Sequence, residues 1–142
     1  MDKVQKIVVL GIIENEKWEI LITQRLDPKI SNAHMKWDIP WWKNEFGESL
    51  EDTLTREIYE ETWLNIEITQ FLPKSLSKFW EHEEYHQHTL LFCYICKLTG
   101  WDLHLNDPKI QDIKWINPKS DLYEFDFLET TFDFIKFYLQ NK

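Results

Sequence analysis

The chain has 142 residues, a length that one domain fills with a single buried core. Its formal net charge of −9 argues against a general nucleic-acid or anionic-membrane surface, since those partners need basic patches. A metal can reverse the sign locally, so a polyphosphate substrate stays compatible. No apolar run approaches the roughly 20 residues that span a bilayer, and Met1-Asp2-Lys3 lacks a signal-peptide pattern. The expectation is one soluble, cytoplasmic domain over residues 1–142, monomer or homodimer, with no nucleic-acid or membrane partner.

Residues 4–13 are a nearly continuous aliphatic run, the pattern of a strand buried on both faces. Glu14-Asn15-Glu16-Lys17 is turn-like and residues 18–24 resume a strand, which predicts a hairpin. Arg25 follows at the strand end, and Asp27-Pro28 opens a loop that leads toward Trp37.

Ser49 followed by Asp52 predicts a helix start near residue 49, because a hydroxyl there accepts an orphan backbone N–H and early acids suit the positive end of the dipole. Leu50, Leu54 and Ile58 make a stripe that faces the core. Glu57, Glu60 and Glu61, spaced i, i+3, i+4, share an arc that abuts this stripe. Like charges crowded at a half-dry edge repel one another unless a cation sits among them. Hard divalent ions prefer such oxygen clusters, and Mg²⁺ in particular takes one or two carboxylates, waters and substrate phosphates.

Here the sequence resembles the Nudix hydrolases, whose box reads Gly, five residues, Glu, seven residues, Arg-Glu, an aliphatic, any residue, Glu-Glu, any residue, Gly, an aliphatic. Glu48, Arg56, Glu57, Ile58, Glu60, Glu61 and Leu64 fall in register with it. Trp37, Pro40 and Lys43 match the Trp-x-x-Pro-Gly-Gly-Lys segment by which members tend to enter the box. The chain departs from the pattern at three glycines: Trp42 and Trp63 stand at the box glycines and Trp41 at the one before it. Glycine serves where φ is positive or backbone must approach a ligand, and a helix ending at Thr62 wants a left-handed glycine at 63. The chain has 8 Trp and only 3 Gly. Because one glycine codon differs from the tryptophan codon by a single base, the three tryptophans read as introduced changes.

The remainder of the chain continues the alternation. Ile66 and Ile68 alternate with polar residues up to Phe71-Leu72-Pro73, a strand that proline is expected to end. His82-Glu83-Glu84-Tyr85-His86 matches the H-E-x-x-H zinc pattern, yet the segment is short and polar and runs straight into a strand from Thr89. The preferred reading of residues 78–88 is a mobile loop over the active site, with Trp80 or Tyr85 placed to stack on a base. Cys93 and Cys96 lie three apart in an apolar strand, so they face opposite sides and read as small core residues. Asn106-Asp107-Pro108 predicts a turn, residues 110–116 a strand, and Leu128, Phe132, Ile135 and Leu139 an amphipathic helix covering one sheet face.

Strands interleaved with two helices imply a mixed sheet between helices, and the resemblance implies the Nudix α/β/α sandwich. It also implies hydrolysis of a pyrophosphate bond in a nucleoside diphosphate linked to another group, with Mg²⁺ or Mn²⁺. By position-for-position carry-over, Glu57, Glu60 and Glu61 are metal ligands, one of them also a base. Glu48 assists from the loop and Arg56 holds a glutamate in place. The resemblance further implies a carbonyl ligand at Trp41, phosphate contacts at Arg25 and Lys43, and an extra loop acid. Asp107 and Asp112 are the candidates for that acid, and exposed loop carboxylates are the plainer reading of both. A solvated acidic face accounts for three glutamates but not for their register with Glu48, Arg56, Pro40 and Lys43. The competing reading keeps the fold but not turnover: a nucleotide-binding or regulatory domain disabled by the tryptophans.

Overall fold

The aliphatic run at the start of the chain becomes β1 (Asp2–Glu14), the spine of a mixed sheet in the computed structural model, which describes residues 2–100 and 108–142. The other strands are β2 (Ile20–Arg25), β3 (Trp37–Asp38), β4 (Trp41–Lys43), β5 (Asn65–Glu81), β6 (Tyr85–Gly100) and β7 (Ile110–Ile116). They lie in the order β3-β2-β1-β6-β5, with β4 also on β1 and β7 also on β2. β1 runs parallel to β6, from Asp2 opposite Tyr85 to Glu14 opposite Lys97, and antiparallel to β2 and β4. A strand flanked on both edges and covered on both faces needs apolar residues at successive positions, which is why residues 7–13 read as an unbroken run.

The two faces of β1 feed two cores. Val8, Leu10 and Ile12 pack with Phe134, Ile135 and Tyr138 of a C-terminal helix, α3 (Glu129–Gln140). Val9 and Ile13 pack with Leu54 and Ile58 of α1 (Leu50–Thr62). The expected α/β/α sandwich is therefore present, with α1 on one side of the sheet and α3 on the other. Gly11 leaves room for α1: a Cβ there would meet Leu54 Cδ1 at 3.3 Å. Cys93 joins the α3-side core and Cys96 the α1-side core, as their odd spacing requires. Burial pushes the Cys96 thiol up to about 12, so it is inert.

Three expectations need correction. Pro73 does not end its strand: β5 continues to Glu81, and its pairing with β6 is irregular between Phe71 and Ser75. β5 is an edge strand, where a missing N–H leaves no ladder partner wanting, and the irregularity absorbs the proline. Residues 78–88 are consequently not a loop over a site. β5 and β6 form one long hairpin closed by His82 N–H donating to the Tyr85 carbonyl at 2.9 Å. The H-E-x-x-H residues thus never form a helical turn: the His82 ring stacks on Tyr85 at 4.4 Å, while His86 stands in β6 edge-on to Phe79 at 5.6 Å. Trp80 is covered by Lys78, whose Nζ is 4.1 Å from the ring centre.

The third correction concerns α3, whose buried line is Thr131, Phe134, Ile135 and Tyr138, with Phe132 and Leu139 half-buried at its margins. This line differs from Leu128, Phe132, Ile135 and Leu139 by part of a turn because Thr131 and Tyr138 also face the core, where their hydroxyls donate hydrogen bonds to Asp38 and Glu14. A short helix, α2 (Pro118–Asp121), capped by Asn117, precedes α3. Of the two acids considered as extra ligands, Asp107 lies outside the described residues. Asp112 sits on β7 rather than in a loop, exposed, and accepts from the Ile113 N–H at 2.8 Å.

Candidate functional site

Both ends of α1 are defined locally. Ser49 Oγ accepts from the Asp52 N–H at 3.1 Å, and Glu51 and Asp52 occupy the first turn, where carboxylates meet the positive end of the dipole. At the far end Trp63 adopts the left-handed region, φ 61° and ψ 13°, and its N–H donates to the Tyr59 carbonyl at 2.8 Å. That is the conformation expected of a glycine here. Leu54 and Ile58 are fully buried, so the acidic arc beside them stands at the margin of the core.

The loop entering α1 is fastened to it by a polar cluster. Gly47 takes φ 88° in the turn before the helix cap, and the Glu48 side chain reaches over the first turns of α1 to Thr53 and Arg56. Asn44 Nδ2 donates to the Glu48 carbonyl at 3.2 Å and to Thr53 Oγ1 at 3.0 Å, and Thr53 Oγ1 donates to Glu48 Oε1 at 3.1 Å. Asn44 and Thr53 were not singled out from sequence. The available signal was a hydroxyl at position 53 on the buried face of an amphipathic helix, where it needs a partner.

Arg56 completes the arrangement. Its Nη2 and Nε reach the two oxygens of Glu48 at 2.9 and 3.0 Å, while Nη1 reaches Glu57 at 2.9 Å and Glu60 at 3.1 Å. The guanidinium holds the Glu48 carboxyl below the usual carboxylate range, with Thr53 assisting against partial desolvation. Reciprocally, the Glu48 hydrogen bonds raise the Arg56 pKa beyond its ordinary value. The Glu57 side chain is 18% exposed and that of Glu60 55% exposed, so the arc runs from half-dry to open. Glu61 lies half-buried on the same stretch of helix.

The cation that sequence reasoning required among these glutamates is thus supplied in part by Arg56. In donor chemistry Glu57, Glu60 and Glu61 fit a hard divalent ion. Among the described residues no three His, Cys, Asp or Glu side chains stand together as a ready-made cage, so an ion bound here draws its remaining ligands from water and substrate, as Mg²⁺ commonly does. Depressions of about 210 Å³ beside Leu122 and Lys136 and about 380 Å³ beside Phe79 and His88 are lined by none of these carboxylates.

The other candidates lie on neighbouring strands. Trp41, Trp42 and Lys43 form β4, opposite Leu10, Val9 and Val8 of β1. Trp42 packs against the α1-side core, whereas Lys43 is exposed. Arg25 closes β2, and its guanidinium is engaged by Asp27 at 3.4 Å, by Asp38 at 3.5 Å and by the face of Trp41, 5.0 Å from the ring centre. Asp38 is a buried carboxyl that no pattern along the chain singles out. Burial raises it to about 6, against the hydrogen bonds of Thr131 and Ile39 N–H and the charge of Arg25.

A fold in which a mixed sheet lies between two helices, with Glu48, Arg56, Glu57, Glu60 and Glu61 at one helix edge, defines a family. The chain belongs to the Nudix family: the model of the NUDIX domain matches residues 4–130. Members of this family generally use divalent metal ions. Over 107 residues the chain is 25% identical to a Bacillus subtilis (strain 168) protein named as a candidate 8-oxo-dGTP diphosphatase, a match that covers 75% of this chain. The match spans only 63% of that relative's length.

Solved structures agree on the fold. The crystal structure of a MutT protein from Methanosarcina mazei Go1 superposes with a TM-score of 0.72 at 24% identity, covering 100% of this chain and 99% of that one. The Nudix domain of Shewanella oneidensis NrtR, solved with ADP ribose, superposes with a TM-score of 0.69 at 16% identity, covering 99% and 89%. The solution structure of the Escherichia coli ORF135 protein gives 0.71 at 22% identity, covering 96% and 90%.

Proposed function

We propose that residues 1–142 act as one catalytic domain that hydrolyses a pyrophosphate bond in a nucleoside diphosphate linked to a further group. The observation that supports this most is the Glu48–Arg56–Glu57–Glu60 network, which holds two carboxylates at the half-dry edge of α1 with a fixed guanidinium between them. Glu57, Glu60 and Glu61 would hold Mg²⁺, or Mn²⁺, and the Trp41 carbonyl would add a ligand. A bound ion of this kind neutralises phosphate charge and lowers the pKa of an attacking water. Arg56 keeps Glu57 and Glu60 oriented, and Glu48, itself fixed by Thr53, keeps Arg56 oriented. A glutamate of the arc accepts the proton of the attacking water. Lys43, within the box, and Arg25, at the end of β2, are the cations that would meet the phosphates.

The name carried by the B. subtilis relative makes an oxidised purine nucleoside triphosphate the first substrate to try. Incubation with a panel of nucleoside triphosphates, nucleotide sugars and dinucleoside polyphosphates in Mg²⁺, with products resolved by chromatography, tests the proposal. Release of a nucleoside monophosphate supports it, and inertness toward the whole panel refutes it.

A second reading, a binding or regulatory domain without turnover, draws support from Trp41, whose ring covers the Arg25 guanidinium. Nucleotide binding without hydrolysis favours that reading, and recovery of hydrolysis on restoring glycine at 41, 42 and 63 returns the first. The proposed location is the cytoplasm, in keeping with the free thiols of Cys93 and Cys96.

A further inference from the structure

Left-handed backbone suits residues that lack a Cβ, and a bulky aromatic is a poor occupant. Among the described residues three that are not glycine take positive φ: Trp18 at 62°, Met35 at 64° and Trp63 at 61°. Two of the three are tryptophan, in a chain where tryptophan is 8 of 142 residues.

At both positions the backbone, not the indole, explains the conformation. Trp63 ends α1, where its N–H caps the helix on the Tyr59 carbonyl. Trp18 closes the turn between β1 and β2: its N–H donates to the Asn15 carbonyl at 3.1 Å, while the Asn15 side chain accepts from the Lys17 and Glu19 N–H groups at 3.0 Å. This is an Asx-type turn whose last position asks for glycine. Neither side chain is buried, Trp18 being 63% and Trp63 48% exposed, although Lys142 Nζ lies 4.4 Å from the Trp18 ring centre at the surface. Trp37 shows what a tryptophan selected for its ring looks like here. It is 8% exposed, meets Phe125 edge-on at 5.2 Å, and has an ordinary φ.

We propose that positions 18 and 63 are glycine in the protein made by its source cells, and that Trp41 and Trp42, which stand at glycine positions of the sequence pattern, belong to the same set. The codon that unites them is UGA. It differs by one base from both UGG, which encodes tryptophan, and GGA, which encodes glycine. A cell whose transfer RNA reads UGA as glycine makes a glycine wherever a table reading UGA as tryptophan writes Trp. Position 18 lies outside the recognisable box, so the substitution follows the codon and not the active site. With glycine at 41 the indole over Arg25 is gone, and the guanidinium beside Asp38 is uncovered on that side.

Peptide mass spectrometry of the protein isolated from its source cells tests this directly. The expected result is glycine at 18, 41, 42 and 63, with tryptophan at 37, and UGA in the gene at those four codons but UGG at 37. Tryptophan in the peptides at any of the four positions overturns it. A second readout is independent of both the source cells and hydrolysis: in the recombinant chain W18G and W63G should each raise the unfolding temperature. A fall on W18G and W63G alike contradicts the backbone argument. None of these outcomes depends on whether the protein turns over a nucleotide.

Discussion

Arg56 grips Glu48 with two parallel hydrogen bonds, Nη2 to Oε1 at 2.9 Å and Nε to Oε2 at 3.0 Å, across eight residues of chain. The same guanidinium turns Nη1 to Glu57 and Glu60. A lysine keeps the charge but has no planar fork, so it cannot hold Glu48 and the arc at once. R56K is expected to lower kcat/KM by about 10- to 100-fold, the usual effect of losing a group that orients a ligand rather than touching substrate. Steady-state assays on whichever nucleotide the unaltered chain hydrolyses check this, and an unchanged kcat/KM would mean that the grip is ornamental.

Thr53 is fully buried and its hydroxyl stands between Asn44 and Glu48. In T53V the shape is kept but Asn44 loses an acceptor and Glu48 a donor. The expected cost is about 1 kcal/mol of stability, with T53S close to unaltered. Denaturant unfolding midpoints distinguish the two variants.

The Asp38 carboxyl, raised by burial from 3.8 to about 6, gives a pH dependence of opposite sign to that of a salt-bridged acid. Between about pH 4 and 6 the folded chain holds a proton that the unfolded chain has released. This residue's contribution therefore falls as pH rises through that window, reaching a penalty on the order of 3 kcal/mol above it. D38N carries no such penalty. Its stability relative to the unaltered chain should climb from pH 4 to pH 6 and then level off, and a difference that stays flat with pH would contradict this origin.

Trp63 pays for its φ of 61° in backbone strain. Left-handed backbone costs an L-residue roughly 1–2 kcal/mol, while glycine adds unfolded-state entropy worth roughly 0.5–1 kcal/mol. W63G should gain about 1 kcal/mol net, and W63N, which tolerates this region, less. Thermal unfolding of the two variants checks the ranking.

Much of the sandwich was legible because β1 and α1 advertise themselves through apolar periodicity. A run of successive aliphatics marks a strand buried on both faces, and Ser49, Leu54 and Ile58 mark a capped helix. The register of Glu48 with Arg56 was legible only through the resemblance to the Nudix box, because Glu48 stands in the loop before the Ser49 cap and helix spacing does not reach it. What escaped depends on contacts between distant segments. Pro73 reads as a strand end, and only the edge position of β5 shows why the ladder passes it. Residues 78–88 read as a loop until the pairing of β5 with β6 is known, whereas the zinc reading of His82 and His86 already failed on the short, polar character of the segment. Asp38 is an ordinary acid after Trp37, and its burial follows from Thr131 arriving 93 residues later. Likewise Glu14 looks like a turn residue, yet Tyr138 and Lys142 cover it from the far end of the chain, Lys142 at 2.8 Å.

The most direct measurement of the central claim is the rate of nucleotide hydrolysis under Mg²⁺ by the unaltered chain and by E57Q, run side by side with a chelator control. If the edge of α1 carries the reaction, the chelator abolishes product formation and E57Q slows it by about 100-fold or more. A rate in E57Q equal to that of the unaltered chain would place the chemistry elsewhere on the molecule.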